Sequence, residues 1–213
     1  GSMYIVDMHR GMIGHHAYLS PYLKAKSETI RLDTLTNFGR ILKVRQADHS
    51  PHTIVNFNTL NSKELVDLLS HKNGWIRNRA QHFLVYKGRK DVLNEVSALA
   101  MNSENEWSQI HALRTLEGWD ALTFDFLMQV AEKSEPRATA HALVLAESFA
   151  ATENVEKAEH LFKNLIERDD VTIDLYLSST LGKWFTVDKR FFKQMMLVLN
   201  RHKQNVIFEE AVI

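Results

Sequence analysis

Ser103-Glu104-Asn105-Glu106-Trp107 leads into His111-Ala112-Leu113-Arg114-Thr115-Leu116-Glu117, and Ser134-Glu135-Pro136-Arg137 leads into His141-Ala142-Leu143-Val144-Leu145-Ala146-Glu147. One pattern is written twice: a polar turn, then a His-Ala-Leu word, beginning first at His111 and again at His141. A weaker copy lies upstream, where Asn73-Gly74-Trp75 leads into Arg79-Ala80-Gln81-His82-Phe83-Leu84. The step from Trp75 to Trp107 equals the step from Ala80 to Ala112, and both are close to the step from His111 to His141. A period of about 30 residues that encodes helix–turn–helix is the mark of an α-solenoid. Such arrays mostly bind partners, so the pattern points to a scaffold before it points to a reaction.

Within these words the apolar spacing is helical. Ile76, Ala80, Phe83 and Leu84 fall at i, i+4, i+7 and i+8, and Ala138, Ala142, Leu145 and Ala146 repeat that order, with Phe149 beyond. Small alanines at one phase let helices approach, and the large residues fill the groove between them. Helices are expected near 61–70, 74–87, 91–101, 104–118, 122–133, 135–150, 153–168, 172–184, 188–202 and from 205 onward: about five antiparallel pairs. Asn61 with Glu64 three positions on predicts a capping box at the first of them. Leu175, Leu177 and Leu181 carry the fourth pair, and Phe191, Phe192, Met195, Met196 and Leu199 open the fifth. The last helix runs out on Phe208, Ala211, Val212 and Ile213 without a polar stop, which predicts an array (61–213) truncated at its C-terminal end.

Residues 4–48 are of another kind. Tyr4 to Met8 and Arg40 to Val44 are β-branched and aromatic runs that predict two short strands, the second entered through Gly39. Ser20-Pro21 predicts an N-cap and first helical residue for a helix over 21–28. Two strands alone are marginal in water. They must pack on helices, join a larger sheet, or pair across a homodimer through their open edges. A linker is expected over 49–60, beginning at His49-Ser50-Pro51-His52. Gly1-Ser2-Met3 reads as the scar of a cleaved tag, so the natural N-terminus and any export signal would lie outside this chain.

Composition narrows the function classes. The 213 residues are 45% hydrophobic and carry 26 basic and 26 acidic side chains, which gives no pull toward nucleic acid or an anionic membrane. No apolar run has the length of a membrane span. With no cysteine there is no disulfide, thiolate metal site, cysteine nucleophile or Cys-x-x-Cys-His haem attachment. Eight glycines and three prolines are too few for a turn-rich all-β fold.

Several words together resemble one family. They are Asp7-Met8-His9-Arg10-Gly11, Tyr18-Leu19-Ser20-Pro21-Tyr22-Leu23, Gly39-Arg40-Ile41-Leu42-Lys43-Val44, and Leu69-Ser70-His71-Lys72-Asn73-Gly74-Trp75-Ile76-Arg77, followed by the His-Ala-Leu words. The chain is similar to the membrane-bound dehydrogenases of large exported bacterial proteins. In these a glucose/sorbosone-dehydrogenase-like β-propeller precedes HEAT repeats and often a c-type cytochrome domain. The resemblance implies that residues 4–48 are the last propeller segment and that 61–213 are a HEAT array. It also implies a periplasmic or other extracytoplasmic location. The propeller body and the haem motif are not in this sequence, so the family's quinone- or haem-linked sugar or aldehyde oxidation maps onto no residue here. A role for residues near His9 to His16 in shaping a parent enzyme's active site is the second functional class.

No catalytic, cofactor-binding or metal residue is assigned from the sequence. His49 and His52, and the adjacent His15-His16, have neither a third ligand nor a His-Glu-x-x-His word beside them. A Gly-rich phosphate loop and a Gly-x-Ser-x-Gly elbow are also missing. The candidate site is a partner-binding stripe. Arg79, His111 and His141 occupy equivalent positions, and His82 and Arg114 (with Val144) do so one turn on. Stacked repeats would line these up on a concave face for a protein partner or a neighbouring domain of the same parent chain. The competing account is that His111 and His141 only link neighbouring repeats. Trp75 and Trp107, at helix starts, are expected to act as packing wedges. A nucleic-acid clamp, the third class, would need an unbroken Lys/Arg stripe, and this one mixes Arg with His and Val.

Overall fold

The fold was analysed in a computed structural model, which describes residues 2–48 and 54–211, the side chains of His16, Asp33 and Glu209 excepted. The chain divides into two compact units, Gly1–Val55 and Asn56–Ile213. It is mainly helical, with one two-stranded sheet.

In the first unit β1 (Met3–Asp7) and β2 (Arg40–Val44) pair antiparallel, with Met3 opposite Val44, Ile5 opposite Leu42 and Asp7 opposite Arg40. β1 starts one residue earlier than the sequence predicts. Arg40 Nε donates to Asp7 Oδ2 at 2.6 Å across the end of the ladder, and that bond holds the Asp7 carboxyl below its ordinary range. Between the strands lies α1 (Pro21–Thr29), with Pro21 at its first position and the Ser20 hydroxyl accepting from the Leu23 N–H, as the Ser-Pro word predicts. Gly11 sits where a Cβ would collide with the Leu32 carbonyl, and its N–H donates to Leu35 O. Glycine is thus required for the segment after β1 to lie against the loop that leads to β2. Both faces of the sheet are apolar and open: Met3, Ile5, Leu42 and Val44 on one, Tyr4, Val6 and Ile41 on the other.

The second unit consists of α2 (Ser62–Leu68), α3 (Gly74–Tyr86), α4 (Leu93–Asn102), α5 (Glu106–Gly118), α6 (Phe124–Lys133), α7 (Pro136–Ala146), α8 (Val155–Glu167), α9 (Val171–Val187), α10 (Phe191–Arg201) and α11 (Val206–Glu210). Consecutive helices pack as α2 on α3, α4 on α5, α6 on α7 and α8 on α9. Each odd helix from α3 to α9 also touches the next odd one, and each even helix from α4 to α10 the next even one. Ala80, Ala112 and Ala142 are all buried in the odd row. The approach of α3 to α5 is close enough that a Cβ on Gly118 would lie 2.7 Å from a Val85 methyl. The predicted capping box at Asn61 and Glu64 is present. The repeated Asn-x-Trp words are a second capping device, because the Asn73 and Asn105 side chains accept from the N–H groups of Trp75 and Trp107.

Carbonyls left open at helix ends are met from the neighbouring pair. Arg168 donates to Ala131 O and Ser134 O at the end of α6, and Arg201, at the corresponding place one pair on, donates to Ile166 O at the end of α8. The fourth residue of successive odd helices does related work. Gln109 donates to Ala100 O, and the Thr139 hydroxyl donates to Ala131 O and Ser134 O. Asp174 instead receives Arg201 and His202.

Three expectations are corrected here. Phe57, inside the stretch read as linker, is buried in the helical unit against Trp75 and Phe83. Phe192, read as core, is exposed, because the buried side of α10 is carried by Phe191, Met195 and Val198. Trp75 and Trp107 are not buried wedges: they are 62% and 43% exposed. Residues 49–53, with His49 and His52, and Val212 and Ile213 lie outside the described residues.

Candidate functional site

The odd helices set their exposed sides next to one another, and the five candidate residues fall on three of them. Two of the five meet directly. Arg114 Nη2 on α5 donates to His141 Nδ1 on α7 at 3.2 Å, while its Nη1 donates to Glu117 Oε2 at 3.0 Å. The contact makes Nδ1 of His141 an acceptor, so the ring proton sits on Nε2. Burial, and then the Arg114 cation, lower the His141 pKa and favour that neutral ring.

His111 is placed differently. Only 9% exposed, it donates from Nδ1 to Gln81 Oε1 on α3 at 2.7 Å and so joins α3 to α5. Burial, with the nearby Arg77 and His141, lowers its pKa from 6.5 to about 4. Both histidines therefore act as bridges between successive odd helices. Arg79 lies over the rings of Trp75 and Phe83, 5.8 and 5.7 Å from their centroids. His82 is exposed beside Tyr86 and shares with Arg114, Asn78 and Gln81 a groove of about 390 Å³ between α3 and α5.

A second groove, of about 210 Å³, lies among α5, α7 and α9 and is lined by Trp107, Ile110, Arg137, Ala140, His141, Thr172 and Tyr176. Trp107 at its rim is held by two guanidiniums, Arg77 of α3 and Arg137 of α7, at 5.7 and 5.3 Å from the ring centroid. Arg137 also pairs with Glu106 at 2.8 Å. The surface thus alternates aromatic rings with hydrogen-bonding side chains along the odd helices.

No family model matches this chain, and no curated protein or solved structure does. Among the described residues no three His, Asp or Glu side chains converge to hold a metal ion, and no helix is long and apolar enough to cross a membrane. In the first unit His9 packs edge-on to Phe38, and His15 lies near Tyr18 and accepts the Ala17 N–H.

The sequence missed Gln81, Arg137 and Tyr176. Gln81 stands two residues beyond Arg79, the position that the repeat register sets against His111, so the register did not give the pairing. Nothing in the sequence marks a glutamine as the partner of a histidine either. Tyr176 occupies the same helical position in α9 as Arg79, His111 and His141 do in their helices, counted from each helix start.

The low pKa of His111 carries a pH signature. The unfolded chain takes up a proton near pH 6.5, whereas the folded chain resists until about pH 4. Stability is therefore highest above pH 6.5 and falls as the pH drops toward 4, this ring contributing at most about 1.4 kcal/mol per pH unit. His111→Gln should cost stability at pH 7.5 and lose less than the wild type on acidification, in urea titrations at pH 7.5 and 4.5. Parallel losses in the two proteins would show that His111 titrates freely.

Proposed function

We propose that the helical unit is a HEAT-type solenoid that binds a protein partner or a neighbouring domain of its parent chain and performs no chemistry of its own. The observation that supports this is the row of odd helices: α3, α5, α7 and α9 pack in succession, and two open grooves lie along them. In such an array each pair contacts only its neighbours, and a continuous surface offers aromatic and polar groups at fixed intervals. The His111 and Arg114–His141 bridges hold that surface rigid, which lowers the entropy lost when a partner docks.

The first unit fits the same reading. A two-stranded sheet that is apolar on both faces belongs inside a larger β-structure, because one-sided covering would leave a row of large side chains in water. The resemblance to the membrane-bound dehydrogenases supplies one: the strand pair would be the closing segment of the propeller, outside the cytoplasm. Any quinone- or haem-linked oxidation would then belong to that propeller or to a cytochrome domain.

Two measurements test the proposal. The chain should show no turnover of sugars or aldehydes with quinone dyes, and steady turnover would overturn it. Leu65 is fully buried in α2. In a solenoid, Leu65→Ala should strip hydrogen-exchange protection from α2 and α3 while α7 and α9 keep theirs. Uniform loss across the unit would mean one cooperative core and no array.

A further inference from the structure

The groove among α5, α7 and α9 has an uneven chemistry. Its polar lining consists of the Arg137 guanidinium, the His141 ring and the hydroxyls of Thr172 and Tyr176. Arg114 occupies Nδ1 of His141, which leaves the Nε2–H as that ring's open group. A guanidinium and an N–H can only donate, and a hydroxyl can donate as well as accept. No carboxylate is in the lining. Around these donors stand Ile110, Ala140 and the rings of Trp107 and Tyr176, and about 210 Å³ is room for one side chain, not for a whole small protein element.

Glu106 supplies the second observation. Its carboxylate lies 2.8 Å from Arg137 Nη1 at the rim. Arg137 is 58% exposed at the side chain, and Trp107 flanks its guanidinium at 5.3 Å, so the Arg137–Glu106 pair is an open one that another carboxylate can enter. Exposed ion pairs of this kind contribute little to stability, whereas arginine beside an aromatic ring is suited to two-point recognition of a carboxylate.

We infer that this groove is the specificity pocket of the partner-binding face and takes a Glu or Asp side chain, flanked by apolar residues, from an extended segment of a protein partner. This rests on the proposed interaction function and names the chemistry that the partner must bring. The ligand carboxylate accepts from Arg137 and from His141 Nε2–H, and its apolar neighbours lie on Trp107 and Tyr176. A nucleic acid fits less well, because a run of phosphates needs a row of cations and the groove lining holds one, Arg137, which already shares its charge with Glu106.

The test uses the intact chain and a labelled peptide, acetyl-Ser-Leu-Glu-Leu-Ser-amide, blocked at both ends so that only the side chain is anionic. Fluorescence anisotropy should show it binding about tenfold more tightly than its Gln counterpart, as expected for loss of one charge-assisted contact. Arg137→Gln should erase that difference. Glu106→Gln, which removes the competing carboxylate, should tighten the Glu peptide and leave the Gln peptide unchanged. Equal affinity for the two peptides would sink the inference and leave the interaction module standing. Binding of an oligothymidylate as tight as that of the Glu peptide would also overturn it, and so would no binding of the Glu peptide at about 1 mM, the weak end of specific recognition. Failure of the module itself would appear instead as turnover or as uniform exchange in the measurements above.

Discussion

Asp174→Ala is expected to destabilise the helical unit by about 3–5 kcal/mol, the range for a buried ion pair that loses one partner. Asp174 is 0% exposed on α9. Its Oδ2 accepts from Arg201 Nη1 and from His202 Nε2, each at 2.8 Å, and so ties α9 to the end of α10. His202 in turn stacks on Phe208 of α11 at 4.0 Å. Alanine would leave the half-buried Arg201 guanidinium facing a hole, with the Ile166 carbonyl and Asp169, 3.1 Å away and 76% exposed, as its remaining partners. Urea titration should show a lower midpoint at unchanged slope. Asp169→Asn, which touches only the solvated partner, should cost less than about 1 kcal/mol. Equal costs for the two substitutions would mean that water reaches Asp174 and that the pair contributes no more than a surface one.

Asp174 also shows why the sequence was legible in some places and silent in others. The helices could be read because their signals are local: polar turns, Ser-Pro, the Asn61–Glu64 box and the i, i+4, i+7 stripes each need only a few consecutive residues. The period could be read because Ala80, Ala112 and Ala142 answer one steric demand, close approach, that only small residues meet. The fourth position of the odd helices escapes, since Gln109 and Thr139 meet open carbonyls at helix ends with different side chains, and Asp174 receives two cationic or imidazole donors there instead. An identity-based repeat search does not align them.

The candidate stripe was half legible for the same reason. Repeat register placed Arg114 and His141 correctly on neighbouring helices, but it could not tell that His111 faces inward to Gln81. Nor could it tell that Trp75 and Trp107 stay exposed. Tryptophan at a helix start usually packs inward, and here Arg79, Arg77 and Arg137 hold the rings at the surface. The two contacts on Trp107 join residues of different helices, beyond the reach of local spacing, whereas Arg79 stands one turn from Trp75 on α3. The strands were readable from β-branched residues. Their pairing register and the exposure of both apolar faces came only from the structure.

Trp184→Ala should cost about 3–5 kcal/mol, and the companion Trp184→Phe decides why. Trp184 is fully buried on α9, with Phe124, Phe162 and Phe191 at ring-centroid distances of 5.4, 5.7 and 5.6 Å. These rings come from α6, α8 and α10, so one side chain fastens three even helices to the odd row. Alanine removes the ring and opens a cavity that four helices share and cannot easily collapse. Phenylalanine removes part of the volume, and it also removes Nε1, a buried donor with no hydrogen-bond partner among the described residues. An unpaired buried N–H opposes folding by about 1–3 kcal/mol, which offsets much of the lost packing. The expected order is therefore a large loss for Ala and about 1 kcal/mol or less for Phe, read as melting temperatures about 2–4 °C apart per kcal/mol. If Phe proved as damaging as Ala, the indole N–H would have to be making a bond essential to the core, and packing of the four rings would not be what joins the two rows. The same α9 places Thr172 and Tyr176 at the groove, so Trp184→Ala should also weaken the Glu peptide, whereas Trp184→Phe should not.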